Sequence, residues 1–584
     1  MIELWESDDP TDPRRALTAT GLLRTFNEAG VLEAADVHLG SRLAAIVGES
    51  DPRVQLAVAL ANRAVRAGSV CIDLRSVPEV APELPWPAYA EWLAAVRASP
   101  LVEQGVVWVE FDLVYLDRYR RQEAQVWDDL SDRAARAAPA LDQALLQASL
   151  DRLFPDSEGT GADYTEQRAA CATAAGRWTT VLTGGPGTGK TTTVARLLAI
   201  LAEQLEAGGG TARIAITAPT GKAAARLQEQ VLASSADFDA TDLARLHGIQ
   251  ATTLHRLLGF RHDNSTRFRH SRANRLPFDV IVVDETSMVS LTMMARLLEA
   301  VRPDARLVLV GDPDQLASVE AGAVLNDIVA GYAERRDSPV VSLTKVHRFG
   351  PHIGELAAAL REGDADRVVE VLSAGHDEVV WLTDDDRASL VRETSLPAAL
   401  AVRQLAWAGD SEGALAALDG HRLLCAHRES VRHWNQQVEH WLAETTGDPL
   451  YEPMYVGRPL LVTANDYGLG VYNGDTGVVV RAGDEHRRAV ISGAAGALDF
   501  APTRLSDVET MHAMTIHKSQ GGQAEVVTVL LPAADSRLLT CELFYTAVTR
   551  ASRRVRVIGS EAEVRAAVGR RAQRASGLQR RISG

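Results

Sequence analysis

Residues 181–201 read VLTGGPGTGKTTTVARLLAIL, and this stretch decides the fold of the chain. It carries the pattern G-x-x-x-x-G-K-[ST], with Gly184, Gly189, Lys190 and Thr191 in register. A β-branched strand precedes the glycines and a helix with apolar periodicity follows them. Glycines at this point let backbone N–H groups close around phosphate oxygens, and the helix N-terminus attracts the anion. The stretch therefore predicts a phosphate-binding loop between a strand and a helix, and this context disfavours the alternative of a Gly-rich turn with a chance lysine.

The loop predicts a site for ATP and Mg²⁺. Lys190 is expected to reach the β and γ phosphates, and Thr191 is expected to ligate magnesium. Further along the chain the apolar sequence IVV ends in two acids, so Asp284 would face the magnesium-bound phosphates, and Glu285 is the candidate base for the attacking water. The residues expected around the phosphates are Gly184, Gly185, Pro186, Gly187, Thr188, Gly189, Lys190, Thr191 and Thr192.

Strands and helices alternate on both sides of this loop. Between residues 178 and 346 the apolar segments TTVLTGG, RIAITAPT, FDVIVVDE, RLVLVGD and PVVSLTK are separated by helical patterns, which predicts a parallel sheet with helices on both faces. A second such region begins near Arg422 and resumes after Met511. The sequence between them is rich in glycine and short strands, as in a small barrel, whereas residues 1–150 have an Ala-rich helical pattern.

Composition sets broad limits. The 584 residues are 46% hydrophobic, enough for several separate cores. The chain has no apolar run of membrane-spanning length and begins with an acidic, polar stretch, so a cytoplasmic protein without membrane contact is expected. The net charge of −16 argues against a protein that coats nucleic acid, but a basic groove can exist on an acidic molecule.

Eight motifs occur in one order along the chain: GGPGTGKT, APTGKAA, TTLHRLL, VVDETSM, GDPDQL, LTKVHRF, TIHKSQG and FYTAVTRA. In this order they resemble the motifs of superfamily 1 DNA helicases, and the TTLHRLL element resembles the RecD branch. The resemblance implies Gln315 as a γ-phosphate sensor, Arg348 and Arg550 as arginine fingers, and Gln167 as an adenine contact. Relatives usually read QGSE where this chain reads QGGQ, so the amide Gln523 replaces the acid expected at the ribose.

The resemblance also implies a fold and a domain order. It predicts an α/β chain with a mostly helical N-terminal domain and two RecA-like P-loop motor domains, the second of which carries an inserted SH3-like β-barrel. The expected boundaries are 1–150 for the N-terminal domain, 151–346 for the first motor domain with a pin-like insertion at 259–276, 347–447 and 509–584 for the second, and 448–508 for the barrel.

A single-stranded DNA track is expected across both motor domains, where hydroxyls, cations and imidazoles would contact the backbone and bases. The resemblance implies that the positions lining the DNA are Thr220, Lys222, Thr253, His255, Thr515, His517 and Lys518. For each histidine, an ordinary capping or core role is the alternative.

Two basic segments have competing interpretations. Residues 261–275, RHDNSTRFRHSRANR, carry five arginines against one aspartate and resemble the pin that splits the duplex in this branch, with Phe268 or His270 meeting the bases. The alternative is an exposed charged loop. For the basic C-terminal stretch, a terminal helix that packs on the second motor domain is preferred to a DNA-binding arm.

The resemblance implies an ATP-dependent helicase that moves five-prime to three-prime on DNA within a RecBCD-type heterotrimer, acting in break repair and recombination. The N-terminal domain would dock on a RecC-like subunit, and a RecB-like subunit would carry the nuclease activity. Two alternatives are a stand-alone helicase of the same polarity and a P-loop scaffolding ATPase that does not translocate. The TTLHRLL and TIHKSQG elements disfavour the scaffold, because a nucleotide switch has no use for them.

Overall fold

The computed structural model describes residues 4, 5, 7, 9–155, 164–261, 267–345, 350–383, 386–466, 468–483, 486–493, 496–572 and 574–584. Within these ranges, the named strands form one small sheet in the N-terminal region, two parallel sheets and one antiparallel sheet. None of the described helices is long and apolar enough to cross a membrane.

The N-terminal unit combines helices with a three-stranded antiparallel sheet of order β1-β3-β2. Asp51 caps α3 by accepting a hydrogen bond from the backbone N–H of Arg53, and Pro52 occupies the first turn, where no N–H is needed. Phe26, Leu60 and Trp92 are fully buried between the helices. The elements are α1 (Gly21–Glu28), α2 (Ala34–Val47), α3 (Pro52–Arg66), β1 (Ile72–Asp73), α4 (Tyr89–Arg97), α5 (Pro100–Glu103), β2 (Val107–Glu110), β3 (Leu113–Leu116) and α6 (Asp117–Ala134).

The first α/β unit is built on a six-stranded parallel sheet of order β6-β5-β7-β8-β4-β9. The central strands are buried on both faces, which explains their continuous apolar sequences. The elements are α7 (Gln143–Leu153), α8 (Thr165–Ala175), β4 (Thr179–Gly184), α9 (Lys190–Ala207), β5 (Ile214–Ala218), α10 (Gly221–Ser234), α11 (Ala240–Leu246), β6 (Ala251–Thr253), α12 (Leu254–Leu258), β7 (Val280–Val283), α13 (Leu291–Ala300), β8 (Arg306–Gly311), α14 (Val324–Gly331) and β9 (Val340–Leu343).

The second α/β unit has a five-stranded parallel sheet of order β10-β19-β18-β11-β17, interrupted in sequence by a five-stranded antiparallel sheet of order β15-β14-β13-β12-β16. The elements are α15 (Pro351–Glu362), α16 (Ala365–Ser373), β10 (Val379–Leu382), α17 (Arg387–Trp407), α18 (Ser411–Gly420), β11 (His421–Cys425), α19 (Arg428–Thr446), β12 (Pro459–Val462), β13 (Thr476–Ala482), β14 (His486–Gly493), β15 (Gly496–Phe500), β16 (Val508–Thr510), β17 (Ala513–Thr515), β18 (Ala524–Leu530), α20 (Cys541–Val548), β19 (Ala551–Ile558), α21 (Glu561–Gly569) and α22 (Leu578–Ser583). The predicted mixed α/β fold with parallel sheets is confirmed.

The packing differs from two sequence-based expectations. Helix α7 crosses the boundary expected at residue 150, and Leu146, Leu150 and Leu153 pack in the core of the first α/β unit. The prediction that the C-terminal helix packs on the second unit is wrong. Leu578 and Ile582 of α22 are fully buried in the core of the first unit, where α22 packs against α14 and α6. The apolar spacing in α22 shows that it packs on something, but sequence alone does not identify the surface.

Candidate functional site

The phosphate loop joins β4 to α9 as the sequence predicts. Gly187 and Gly189 have φ angles of 82° and 83°, in the left-handed region that glycine tolerates. A Cβ atom on Gly184 would lie 2.6 Å from Thr188 Oγ1, so the tight path of the loop requires glycine there. The ammonium of Lys190 donates hydrogen bonds to the carbonyl oxygens of Gly184 at 2.6 Å and Gly185 at 2.9 Å. The lysine therefore lies within the loop.

The acids that end β7 and β8 face this loop, because the carboxyl ends of parallel strands meet at one edge of the sheet. Asp284 is half-buried, and desolvation, with Glu285 as the next cause, raises its pKa to about 6. Glu285 has φ 49° and ψ 41°, a left-handed conformation that is unusual for a residue with a side chain and is typical of strained functional positions. Burial lowers the pKa of Lys190, against the opposing effect of Asp312 at the end of β8.

A cavity of about 360 Å³ lies between the two α/β units and brings most of the predicted nucleotide residues together. The predicted residues that line it are Pro186, Gly187, Gly189, Lys190, Thr191, Thr192, Asp284, Glu285, Gln315, Gln523 and Arg550. Gly184, Gly185, Thr188 and Gln167 do not line it, and the Gln167 amide donates to the Thr188 carbonyl at 3.4 Å from behind the loop. Arg348 lies outside the described residues.

The sequence analysis missed three charged or polar residues of this cavity: Arg226, Gln230 and Asp312. Asp312 follows a buried strand directly, as Asp284 does, so the strand-then-acid pattern was a usable signal. Arg226 and Gln230 follow Lys222 at steps of four residues along α10, and helical spacing places the three on one side.

Buried hydrogen bonds cross the cleft between the two units. The guanidinium of Arg550 donates to Gln315 Oε1 at 3.0 Å, and the Tyr545 hydroxyl donates to Asp312 Oδ2 at 3.0 Å. The Gln520 amide donates to the Leu316 carbonyl at 2.7 Å. Arg550 is only 4% exposed, so these contacts lie in a desolvated setting where charged hydrogen bonds are strong. Groups from the second unit thus reach the nucleotide cavity of the first.

A second cavity, of about 680 Å³, contains every residue predicted to contact DNA: Thr220, Lys222, Thr253, His255, Thr515, His517 and Lys518. They come from the carboxyl-end loops of both parallel sheets, so the cavity is a groove across the two units. The antiparallel sheet region adds Asn465 and Asn473, and the start of α19 adds His427 and Arg428, none of which the sequence analysis identified.

Burial sets the charge states in this groove. It lowers the pKa of His517 to about 4 and that of His255 below its ordinary value, so both imidazoles are neutral at pH 7. Burial, followed by the charge of Arg422, lowers the pKa of Lys222 to about 8. Lys518 is paired with Glu509 at 2.8 Å. The groove thus offers hydroxyls, neutral rings and cations, and rings that stack on bases and cations that contact the backbone are typical of single-strand binding.

The pin-like segment is only partly described, because residues 262–266 lie outside the described ranges. Phe268 cannot meet bases as it stands: it is 9% exposed and packs edge-on against His255, with ring centroids 5.7 Å apart. Arg272 forms an ion pair with Asp129 of α6 at 2.7 Å. His270 lies beside the Asn274 carbonyl oxygen at 3.2 Å. The expectation that Phe268 contacts DNA is corrected by its burial in the core.

Three family models match separate parts of the chain. The family model described as "RecBCD enzyme subunit RecD, N-terminal domain" matches residues 28–107, the "AAA domain" model matches 164–384, and the "UvrD-like helicase C-terminal domain" model matches 510–558. Among solved structures, a Bacteroides Pif1 bound to single-stranded DNA is 17% identical, with 68% of this chain and 92% of that chain covered at a TM-score of 0.39.

Relatives match over much longer spans. The RecBCD enzyme subunit RecD of Mycobacterium tuberculosis is 60% identical over 580 residues, which are 98% of each chain. The subunit of the same name from Mycolicibacterium smegmatis is 60% identical over 572 residues, 96% of this chain and 99% of that protein. The ATP-dependent RecD2 DNA helicase of Deinococcus radiodurans is 32% identical over 71% of this chain and 52% of that protein. From the near-complete matches at this identity, the chain belongs to the family of RecBCD enzyme subunit RecD.

Proposed function

We propose that the chain is the ATP-dependent DNA helicase subunit of a RecBCD-type complex, acting in double-strand break repair and recombination. The observation that carries the proposal is the pair of cavities at one interface. One holds the phosphate loop together with Arg550 of the second unit, and the other holds the predicted DNA contacts of both units. Because both cavities lie between the same two units, a movement of one unit relative to the other at the nucleotide also changes the shape of the groove.

The nucleotide site fits ATP with Mg²⁺. Thr191 and Asp284 offer a hydroxyl and a carboxylate on the same cavity wall, and oxygen donors of this kind suit magnesium. When bound, magnesium supplies charge neutralisation at the phosphates. Lys190 would exchange its two loop carbonyls for phosphate oxygens, and Glu285 would orient and deprotonate the attacking water. Gln167 and Gln523 are the proposed adenine and ribose contacts.

Arg550 and Gln315 couple hydrolysis to movement. Arg550 belongs to the second unit and Gln315 to the first, and their hydrogen bond holds both at the cavity. With ATP bound, the guanidinium would stabilise charge on the γ-phosphate and draw the units together. After phosphate loss this attraction ends and the units separate. Arg348 is proposed as the second finger on the resemblance of LTKVHRF alone.

The remaining assignments rest on the family. We assign the antiparallel sheet of β12 to β16 to an SH3-like barrel, the N-terminal unit to docking on a RecC-like subunit, and the nuclease activity to a RecB-like subunit. Movement is assigned the five-prime to three-prime direction, and the complex is placed in the cytoplasm. The described part of the segment 259–276 supports a basic loop that is held to α6 by an ion pair. Because Phe268 is buried, other residues of the segment would have to make any contact that splits the duplex.

A substitution in the phosphate loop tests the nucleotide assignment. Lys190→Ala removes the ammonium from the loop, so the ATPase rate should fall by roughly a hundredfold or more, while single-stranded DNA binding persists because Lys190 lies outside the groove. ATP hydrolysis and DNA fluorescence anisotropy measure the two effects. Normal hydrolysis by Lys190→Ala would refute the site.

Co-purification tests the partners. The chain is expressed with RecB-like and RecC-like subunits, and the products are assayed on duplexes with five-prime or three-prime overhangs. A stable heterotrimer, with the chain itself preferring five-prime overhangs, is the expected result. A chain that unwinds DNA alone and ignores both subunits would support the stand-alone helicase. A chain that hydrolyses ATP but never responds to DNA would support the scaffolding ATPase.

A further inference from the structure

Helix α10 has one polar side that runs from the DNA groove to the nucleotide cavity. Lys222, Arg226 and Gln230 lie four residues apart, so they share this side. Next to this side, Leu227 and Val231 pack into the core of the first unit and are 1% and 3% exposed. The helix therefore packs on its own unit through its apolar residues, while its polar side lines both cavities.

The N-terminal end of α10 lies in the groove. Thr220 caps it by accepting a hydrogen bond from the Ala223 N–H at 3.2 Å, and Gly221 and Lys222 line the groove next to it. Tyr472, from the antiparallel sheet region, packs so closely that a Cβ atom on Gly221 would lie 2.6 Å from the tyrosine Cβ. Anything that enters the groove at this point therefore contacts or displaces the start of α10.

The middle of α10 supports the QGGQ loop of the second unit. Arg226 donates to the Gly521 carbonyl at 3.4 Å, and a Cβ atom on Gly521 would lie 3.1 Å from the methyl group of Ala223. A Cβ atom on Gly522 would lie 3.2 Å from Cε and Nζ of Lys222. A cavity of about 310 Å³ runs along this contact, with Lys222, Arg226 and Gln230 on one wall.

Towards its C-terminal end, α10 reaches the predicted magnesium ligand. The Thr191 hydroxyl donates a hydrogen bond to Gln230 Oε1 at 3.0 Å. A threonine hydroxyl that ligates a cation uses an oxygen lone pair and keeps its proton, which needs an acceptor. The acceptor fixes the direction in which the oxygen lone pair points. Removing a residue that orients a metal ligand in this way typically lowers the affinity for the metal. Gln230 occupies the acceptor position, and it also lines the nucleotide cavity.

We propose that Gln230 is a positioning residue that holds the Thr191 hydroxyl for magnesium and that α10 links this ligand to occupancy of the DNA groove. The inference deepens the proposed function and rests on it. A strand in the groove contacts Gly221 and Lys222 and shifts the start of the helix, and a rigid helix transmits the shift to Gln230. DNA in the groove thereby raises the affinity of the nucleotide site for magnesium and nucleotide, although it contacts neither ligand.

The test is a magnesium titration of nucleotide binding. A fluorescent non-hydrolysable ATP analogue is bound to the full chain at rising Mg²⁺ concentration, with and without an oligothymidylate. Gln230→Ala should raise the Mg²⁺ concentration for half-maximal binding by about tenfold or more. The Mg²⁺ midpoint should change by more than the affinity for the analogue without Mg²⁺, and the dissociation constant for the oligothymidylate should stay unchanged. In the wild type the oligothymidylate should lower the Mg²⁺ midpoint, and in Gln230→Ala it should not.

Two further variants make the outcome decisive. Gln230→Glu keeps an oxygen acceptor for Thr191 and should restore most of the wild-type midpoint. Leu232→Gln changes an exposed residue of the same helix, 59% exposed, and should behave as wild type. A folded Gln230→Ala protein with the wild-type midpoint would overturn the positioning role, and a wild-type midpoint that ignores DNA would overturn the link. Absence of DNA-stimulated hydrolysis in the wild type would instead refute the proposed function, because the Mg²⁺ midpoint is read without turnover.

Discussion

Single residues in the groove take their charge state from burial. His517 and His255 are neutral at pH 7, so they can stack on bases or form hydrogen bonds but cannot neutralise phosphate. Lys222 is the opposite case, since its pKa of about 8 leaves it mostly protonated at pH 7 and mostly neutral at pH 9. The DNA affinity of the groove should therefore respond to alkaline pH through one side chain.

We expect the affinity for single-stranded DNA to fall between pH 7 and pH 9 at constant salt. The folded-state pKa of Lys222 is lowered to about 8, so its charge is present below that pH and is lost as pH rises through it. Lys222→Arg should remove most of this dependence, because a guanidinium stays protonated over the whole range. Fluorescence anisotropy with an oligothymidylate measures both proteins. Identical pH profiles for wild type and Lys222→Arg would exclude Lys222 as the titrating contact.

Arg550 allows a second prediction at this scale. Arg550→Ala should lower the DNA-stimulated rate of ATP hydrolysis by about a thousandfold, as expected for an arginine finger, and leave DNA binding in place. Arg553→Ala is the matched control, because Arg553 lies nearby in β19 with its side chain 61% exposed. Steady-state kinetics with saturating DNA measures the ATP hydrolysis rate of both variants. Equal rates for both variants would remove Arg550 from the catalytic site.

Among the elements, the C-terminal segment departs most from expectation. It leaves the second unit after α21 and ends as α22 on the first unit, where Arg335 donates to the Ile582 carbonyl at 2.8 Å. Arg581 of α22 pairs with Glu110 of the N-terminal unit. The Gly577 N–H donates to Glu123 of α6 at 3.0 Å. The segment therefore ties the second unit to the first and to the N-terminal unit.

Ile582→Ala should lower the free energy of unfolding of the first unit by about 2–5 kcal/mol, the usual cost of truncating a buried isoleucine. Ile582 is fully buried and adjoins Gly331 of α14. Gln579→Ala, at an exposed position of the same helix, is the control and should be neutral. Urea unfolding followed by tryptophan fluorescence reports the difference. Equal stability of the two variants would mean that α22 does not pack on the first unit in solution.

At the scale of the molecule, a net charge of −16 coexists with a groove that we propose to hold a polyanion. The cations that line the groove are few: among the described residues they are Lys222, Lys518 and Arg428. Hydroxyl and amide groups make up much of the remaining polar lining. If this groove is the DNA site, as proposed, charge should contribute only modestly to DNA affinity.

The salt dependence of binding should reflect this small number of cations. For single-stranded DNA, a plot of log affinity against log salt should have a slope of about −2, because three cations each contribute about −0.7. Lys222→Ala should make the slope shallower by about 0.7. Anisotropy titrations across a salt series give both values. A slope much steeper than this would place the main DNA contact on another surface.

The family resemblance supplied the seven groove residues that the structure brings together. Local sequence was sufficient for the phosphate loop and the acid after β7. Each depends on near neighbours: glycines that permit a left-handed turn, or an apolar strand whose end lies at the sheet edge. The family resemblance added the roles of Gln315 and Arg550, which come from different units and meet at 3.0 Å.

Only the tertiary structure decided which elements meet. The Thr191–Gln230 hydrogen bond joins residues 39 positions apart, and the Gln315–Arg550 bond joins residues 235 positions apart. The burial of Phe268 and the packing position of α22 also depend on surfaces from distant parts of the chain. Periodicity shows that a helix has an apolar side but not what covers that side, because the covering surface is set by the packing of elements that are distant in sequence.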